Sequence, residues 1–241
     1  MKITPVKTDL FTPRADLGTF IVRHIPSVNE QTVVAVASKL FCLWKGKLEP
    51  YKSEEQKENF IRQESDFALK TPLCWLTVKD GMVMTNAGID ESNADGQLLF
   101  FPPDIYGLAA QLRTALSQKW QVKKLGLVVT DSMILPLRAG VIAGAVAYAG
   151  FKGVKDKRGA RDLFGRKLKV TLVNVADSLA TSAALCMGES DEQTPLALIE
   201  QAPVEFVDEV PPNEIKYSVE NDLYTPLFKA VGYNKQGEKN D

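Results

Sequence analysis

The stretch Leu125-Gly126-Leu127-Val128-Val129 is apolar throughout and stops at Thr130-Asp131-Ser132. An unbroken apolar run closed by polar residues reads as a buried strand, and α/β-type proteins gather ligands at the carboxyl ends of such strands. Asp131 is therefore a candidate site residue on position alone. A second polar cluster, Thr85-Asn86-Ala87-Gly88-Ile89-Asp90-Glu91-Ser92-Asn93, also closes an apolar run.

The remaining pattern frames these two clusters. Asp16 to His24 reads as a short helix with Leu17, Phe20 and Ile21 inward, and Thr32 to Ala37 as a strand that ends at Ser38-Lys39. Ser53 to Lys70 is charged and helix-prone, with Phe60, Ile61, Phe67 and Ala68 as its apolar face. Leu73–Val78 and Met82–Thr85 flank Lys79-Asp80-Gly81, a hairpin signal that presents Asn86 to Asn93 as a loop. A strand at Leu98–Phe101 precedes a helix capped by Asp104, with Leu108, Leu112, Leu116 and Trp120 in one stripe. Leu168 to Asn174 alternates as a half-buried strand, Asp177 is placed to cap a helix running to Met187, and Leu196–Ile199 is a short apolar strand. Hydrophobicity thins from Pro211, although Leu223 to Val231 retains enough apolar residues to dock.

Several function classes fall away. A net charge of -1 carries no basic excess, so small-molecule chemistry is expected and nucleic acid is not. Ala139 to Phe151 is too short to span a bilayer and Met1 to Leu10 lacks an apolar signal core, which makes cytoplasm the default. Cys42, Cys74 and Cys186 are too scattered for a zinc knuckle or a disulfide framework. The single histidine, His24, excludes His-rich zinc sites and reads as a helix-end residue. Neither a Walker loop nor a Gly-x-Gly-x-x-Gly turn occurs.

The two clusters are rich in hard oxygen donors. Asp90 offers a carboxylate and Asn93 an amide, while Asp131 and Ser132 add a carboxylate and a hydroxyl. Mg²⁺ and Mn²⁺ need only one or two carboxylates, a hydroxyl and substrate phosphates. Ser38-Lys39 supplies a hydroxyl and an ammonium that suit phosphate oxygens, although a solvated basic turn explains Lys39 equally.

From about Asp9 to Ile199 the order and wording of the motifs resemble the coenzyme F-420:L-glutamate ligase (γ-glutamyl ligase) family. The matching stretches are Ala35–Lys39, Asn86–Asn93, Val128–Ser132, Asp156–Arg166, and Ala176–Leu179 through Met187-Gly188-Glu189. The resemblance implies an α+β architecture with mixed sheets and flanking helices, in an intertwined homodimer. It implies one domain over 1–210, with a second subdomain around 133–185, and an extension over 211–241. It implies transfer of L-glutamate onto a carboxylate acceptor, a deazaflavin precursor, with GTP as co-substrate, Mg²⁺ or Mn²⁺, and K⁺ as an accessory ion. Carried over by residue, Asp90, Asp131, Ser132 and Glu189 would be metal ligands. Ser38, Lys39, Asn93, Met187 and Gly188 would contact the nucleotide, within a segment reaching Thr194. Arg138, Arg158 and Arg166 could fork onto phosphates or carboxylates, or serve as surface ion pairs.

Two departures accompany these matches. Where the family reads Ser-Lys-x-x-Ser-Lys-x-Glu-Gly-Arg, this chain has Leu43 for the second lysine and Lys45 for the acid. The family's Phe-Gly-Arg-Pro-Trp-Arg is Met133-Ile134-Leu135-Pro136-Leu137-Arg138 here, which exchanges a charged fork for apolar surface. The alternatives are therefore the same ligase chemistry on another acceptor, or a non-catalytic relative that binds a nucleotide or metabolite.

Overall fold

The computed structural model describes residues 1–211 and 213–233. In chain order the elements are β1 (Lys2–Val6), α1 (Leu17–His24), β2 (Thr32–Ala37), α2 (Ser38–Lys45), β3 (Leu48–Pro50), α3 (Glu54–Glu64), β4 (Phe67–Lys70), β5 (Trp75–Lys79), β6 (Met82–Thr85), β7 (Gln97–Leu99), α4 (Ile105–Trp120), β8 (Leu125–Ile134), β9 (Val141–Ala149), β10 (Val154–Asp156), β11 (Leu172–Asn174), α5 (Val175–Met187), β12 (Leu196–Glu200) and α6 (Thr225–Ala230). The architecture is α+β. None of these helices is long and apolar enough to cross a membrane.

Two compact units share the chain. The first holds residues 1–49 and 99–214, the second 50–98 and 215–241. Residues 215–233 of the expected extension thus belong to the second unit, while Pro212 and everything beyond Tyr233 lie outside the described residues.

The first unit is built on a five-stranded sheet in the order β1-β12-β2-β8-β9. β2 and β8 are parallel, and the other neighbours antiparallel. The apolar run of β2 and the start of β8 are wholly buried, as unbroken valine and leucine runs require. Helices α4 and α5 both pack on β8 and β9. Asp104 caps α4 by accepting from the Gly107 amide at 2.9 Å. Leu112 and Leu116 of the expected stripe are buried, while Trp120, half-buried, donates its Nε1–H to the Ile25 carbonyl at 3.0 Å.

α4 also carries Arg113, a buried cation that patterning alone missed. Its guanidinium reaches the carbonyls of Leu125 at 2.9 Å and Lys123 at 3.2 Å, and the Asp208 carboxylate at 3.3 Å.

The second unit contains the antiparallel sheet β4-β5-β6 with α3 and α6. The expected hairpin is present, with Asp80 (φ 51°) and Gly81 (φ 73°) both in the left-handed conformation that a tight two-residue turn requires. The helix expected over 53–70 stops at Glu64 instead. Phe67 and Ala68 leave it to pair with Val78 and Thr77, because a strand partner within reach outweighs weak helical preference. Within Leu223–Val231, Thr225–Ala230 forms α6, and the ring of Tyr233 just beyond it packs against Phe67 and Phe228.

Two further readings change in the first unit. Only Leu172–Asn174 of the strand expected from Leu168 is extended. The cap of α5 is Asn174, whose Oδ1 accepts from the Asp177 amide at 3.0 Å, so Asp177 is left for another task.

Candidate active site

Asp131 lies inside β8 and not in a loop after it, because pairing with β9 carries the strand on to Ile134. The parallel register of β2 and β8 ends with Ala37 opposite Thr130. The next residue on each strand is Ser38 and Asp131, and the Ser38 hydroxyl donates to Asp131 Oδ1 at 2.6 Å. Ser38 is buried and opens α2, so strand end, helix start and carboxylate meet at one point.

The next residue, Ser132, leaves the extended strand on the opposite side. Its hydroxyl donates to Glu189 Oε2 at 2.6 Å, just beyond the end of α5. Gly188 makes that approach possible with φ 86° and ψ 170°, a conformation essentially reserved for glycine. The neighbouring Glu192 carboxylate is held below its ordinary pKa by the backbone amides of Glu192, Ser190 and Glu189, with the Ser190 amide at 2.8 Å.

Four of the expected residues are thus joined as two carboxylate–hydroxyl pairs, Asp131 with Ser38 and Glu189 with Ser132. Lys39 follows in the first turn of α2. Met187 ends α5 with its side chain buried.

Asp90 and Asn93 belong to the second unit. Three successive residues in left-handed conformations, Asn86, Ala87 and Gly88, turn the chain ahead of them. Asn86 Oδ1 accepts from the Trp75 amide and Thr77 Oγ1 from the Ala87 amide, which fastens this turn to β5. Asp90 accepts from the Ser92 amide at 2.8 Å and from its hydroxyl at 3.1 Å. Lys57 of α3 forms an ion pair at 2.8 Å with Glu91, a contact with no signal in the sequence. Among the described residues no group of three or more His, Cys, Asp or Glu gathers to hold a metal ion.

The arginines divide. Arg158 makes a forked ion pair with Asp156, with its Nε at 3.0 Å from both oxygens and Nη2 at 2.6 Å from Oδ2, which is the surface-pair reading. Arg138 is exposed at the β8–β9 turn. Arg166 is exposed in the arm between β10 and β11, where its amide donates to Asp162 Oδ1 at 2.8 Å.

These donors suit a hard cation: each pair joins a carboxylate to a hydroxyl oxygen, and neither sulfur nor imidazole takes part.

Residues 36–201 match the family model described as F420-0:gamma-glutamyl ligase. The chain belongs to the F420-0:gamma-glutamyl ligase family. It is 41% identical over 128 residues to a coenzyme F420:L-glutamate ligase of Methanococcus maripaludis, covering 53% of this chain and 51% of that protein. With the Methanopyrus kandleri protein of the same description identity is 39% over 144 residues, 59% of this chain and 54% of the relative. The Halorubrum lacusprofundi protein, also described as a coenzyme F420:L-glutamate ligase, is 33% identical over 191 residues, 77% of this chain and 70% of its own. The chain spans about half the length of the first two relatives. The family match runs from Val36, near the end of β2, through β12 and includes both carboxylate–hydroxyl pairs.

Proposed function

We propose that this protein is a nucleotide-dependent carboxylate–amine ligase that adds L-glutamate to the deazaflavin coenzyme F-420 precursor. The observation that carries this reading is the Ser38–Asp131 pair at adjacent parallel strand ends, in a chain that belongs to a family of γ-glutamyl ligases. A free carboxylate is a poor acyl donor. Activation through GTP would make an acyl phosphate that the glutamate amine attacks.

Asp131, Ser132 and Glu189 would hold Mg²⁺ or Mn²⁺, the resemblance alone assigns Asp90 to the same role, and Ser38 would stand at the nucleotide beside them. The cation would supply neutralisation of phosphate charge. Ser38 keeps the Asp131 carboxylate oriented, and the glycine geometry at 188 turns Glu189 toward Ser132. Lys39, Asn93, Met187 and Gly188 would contact the nucleotide. K⁺, a cytoplasmic location and a homodimer complete the reading. The dimer is supported by the β10–β11 arm: its turns are hydrogen-bonded, yet Leu163 and Phe164 are 98% and 96% exposed.

A changed acceptor is favoured by one feature. Ile134, Leu135 and Leu137 are exposed apolar residues where the family carries glycine, arginine and tryptophan. Incubation with GTP, Mn²⁺, L-glutamate and the deazaflavin precursor is expected to add one glutamyl mass unit. Nucleotide turnover without that product selects the changed acceptor, and the absence of both turnover and nucleotide binding overturns the ligase reading.

A further inference from the structure

Opposite the site, β9 is irregular. Val129 faces Ala147 but Thr130 faces Ala145, so Val146 is the extra residue of a β-bulge one step before Asp131. Bulges bend a strand and re-aim the side chains beside them. Asp131 itself faces Gly144.

Two side chains of α5 grip β9 on either side of that glycine. Asp177 Oδ1 accepts from the Ala145 amide at 2.8 Å, and Thr181 Oγ1 donates to the Ala143 carbonyl at 2.5 Å. Asp177 is itself anchored, since its Oδ2 accepts from Asn174 Nδ2 at 2.5 Å. A continuous chain of contacts therefore runs from Asn174 through Asp177 to the bulge, and across the β8–β9 pairing to Asp131 and Ser38.

We propose that Asp177 is a positioning residue, which aims Asp131 by fixing the bulge at Ala145. Its metal arm rests on the reading of Asp131 as a ligand. An acid in the first turn of a helix also steadies that helix through its dipole, so a loss of stability alone does not distinguish the two roles. Orientation of Asp131 does.

The test compares the wild type with Asp177→Ala, the exchanged pair Asn174→Asp with Asp177→Asn, and Asp131→Ala. The readouts are the ¹³C resonance of the Asp131 carboxyl in metal-free protein at fixed pH, the thermal midpoint, and Mn²⁺ titration followed by electron paramagnetic resonance. Asp177→Ala is expected to move the Asp131 resonance and weaken Mn²⁺ binding by roughly tenfold or more, the usual cost of removing a group that orients a ligand. Asp177→Asn keeps an oxygen for the Ala145 amide but turns an NH2 toward Asn174 Nδ2. Made together with Asn174→Asp, which still caps the helix and accepts from that NH2, it restores the resonance and brings Mn²⁺ affinity back to within roughly threefold.

An unmoved resonance in Asp177→Ala, or no restoration by the exchanged pair, overturns the proposal. Should Asp177→Ala fail to fold, Thr181→Val releases the other side of Gly144 and is expected to move the same resonance, and an unmoved one is decisive against. Unchanged Mn²⁺ binding in Asp131→Ala instead defeats the metal reading, while the metal-free resonance still decides the role of Asp177.

Discussion

The Ser38 hydroxyl and the Asp131 carboxylate meet at 2.6 Å because each stands one residue past the last pair of two parallel strands. Removing the donor with Ser38→Ala is expected to cost about 1 kcal/mol of stability. It is also expected to weaken the proposed Mn²⁺ binding, because the carboxylate is no longer held. Urea denaturation and Mn²⁺ titration check both, and unchanged values would show that the bond orients nothing.

Arg113 is expected to be a large stability determinant without touching the site. Its side chain is buried and serves two carbonyls at the entry to β8, besides Asp208. Arg113→Leu leaves those carbonyls without their donor, at a cost of about 2–4 kcal/mol in urea unfolding. Arg113→Lys recovers only part, since an ammonium lacks the fork.

Alkaline pH should unfold the protein through two tyrosines. Burial, then the Asp177 and Glu214 charges, push Tyr106 up to about 12. Burial first, and then a hydrogen bond to Glu214, push Tyr148 up as well. A phenol whose pKa is raised on folding holds its proton more tightly in the native state, so stability falls as pH climbs through the unfolded value near 10 toward the folded one. Tyr106 alone accounts for about 2–3 kcal/mol of that loss. Tyr106→Phe should flatten the thermal midpoint between about pH 10 and 12. An equally steep decline would show that its phenol does not drive the transition.

The exposed arm predicts assembly. Light scattering of the wild type is expected to report a dimer, and Phe164→Glu combined with Leu163→Glu a monomer with an unchanged circular dichroism spectrum. A monomeric wild type would remove the arm's assigned partner.

Much of this was legible because it is local. α1 with its three buried residues, strand β2, the Asp80-Gly81 hairpin and the Asp104 cap each follow from a few adjacent residues. Ser38, Asp131, Ser132 and Glu189 were named from their motifs, and the structure joins them pairwise. What the sequence concealed depends on partners distant in the chain. β4 replaced the end of a helix because Phe67 and Ala68 met β5. Asp177 left the cap to Asn174 and turned to Ala145, 32 residues away. The bulge at Val146 exists only in the pairing of two strands, and no window of one strand contains it.

The parallel alignment of β2 with β8 also dictates where this protein can tolerate a change of length. One residue inserted within Thr32–Ala37 would slide the serine roughly 3.3 Å along the sheet and swap which surface every later side chain of that strand faces. Insertions in the turn between Leu135 and Gly140 disturb neither alignment. The exposed apolar tip can therefore change in length while Ser38 and Asp131 stay in phase.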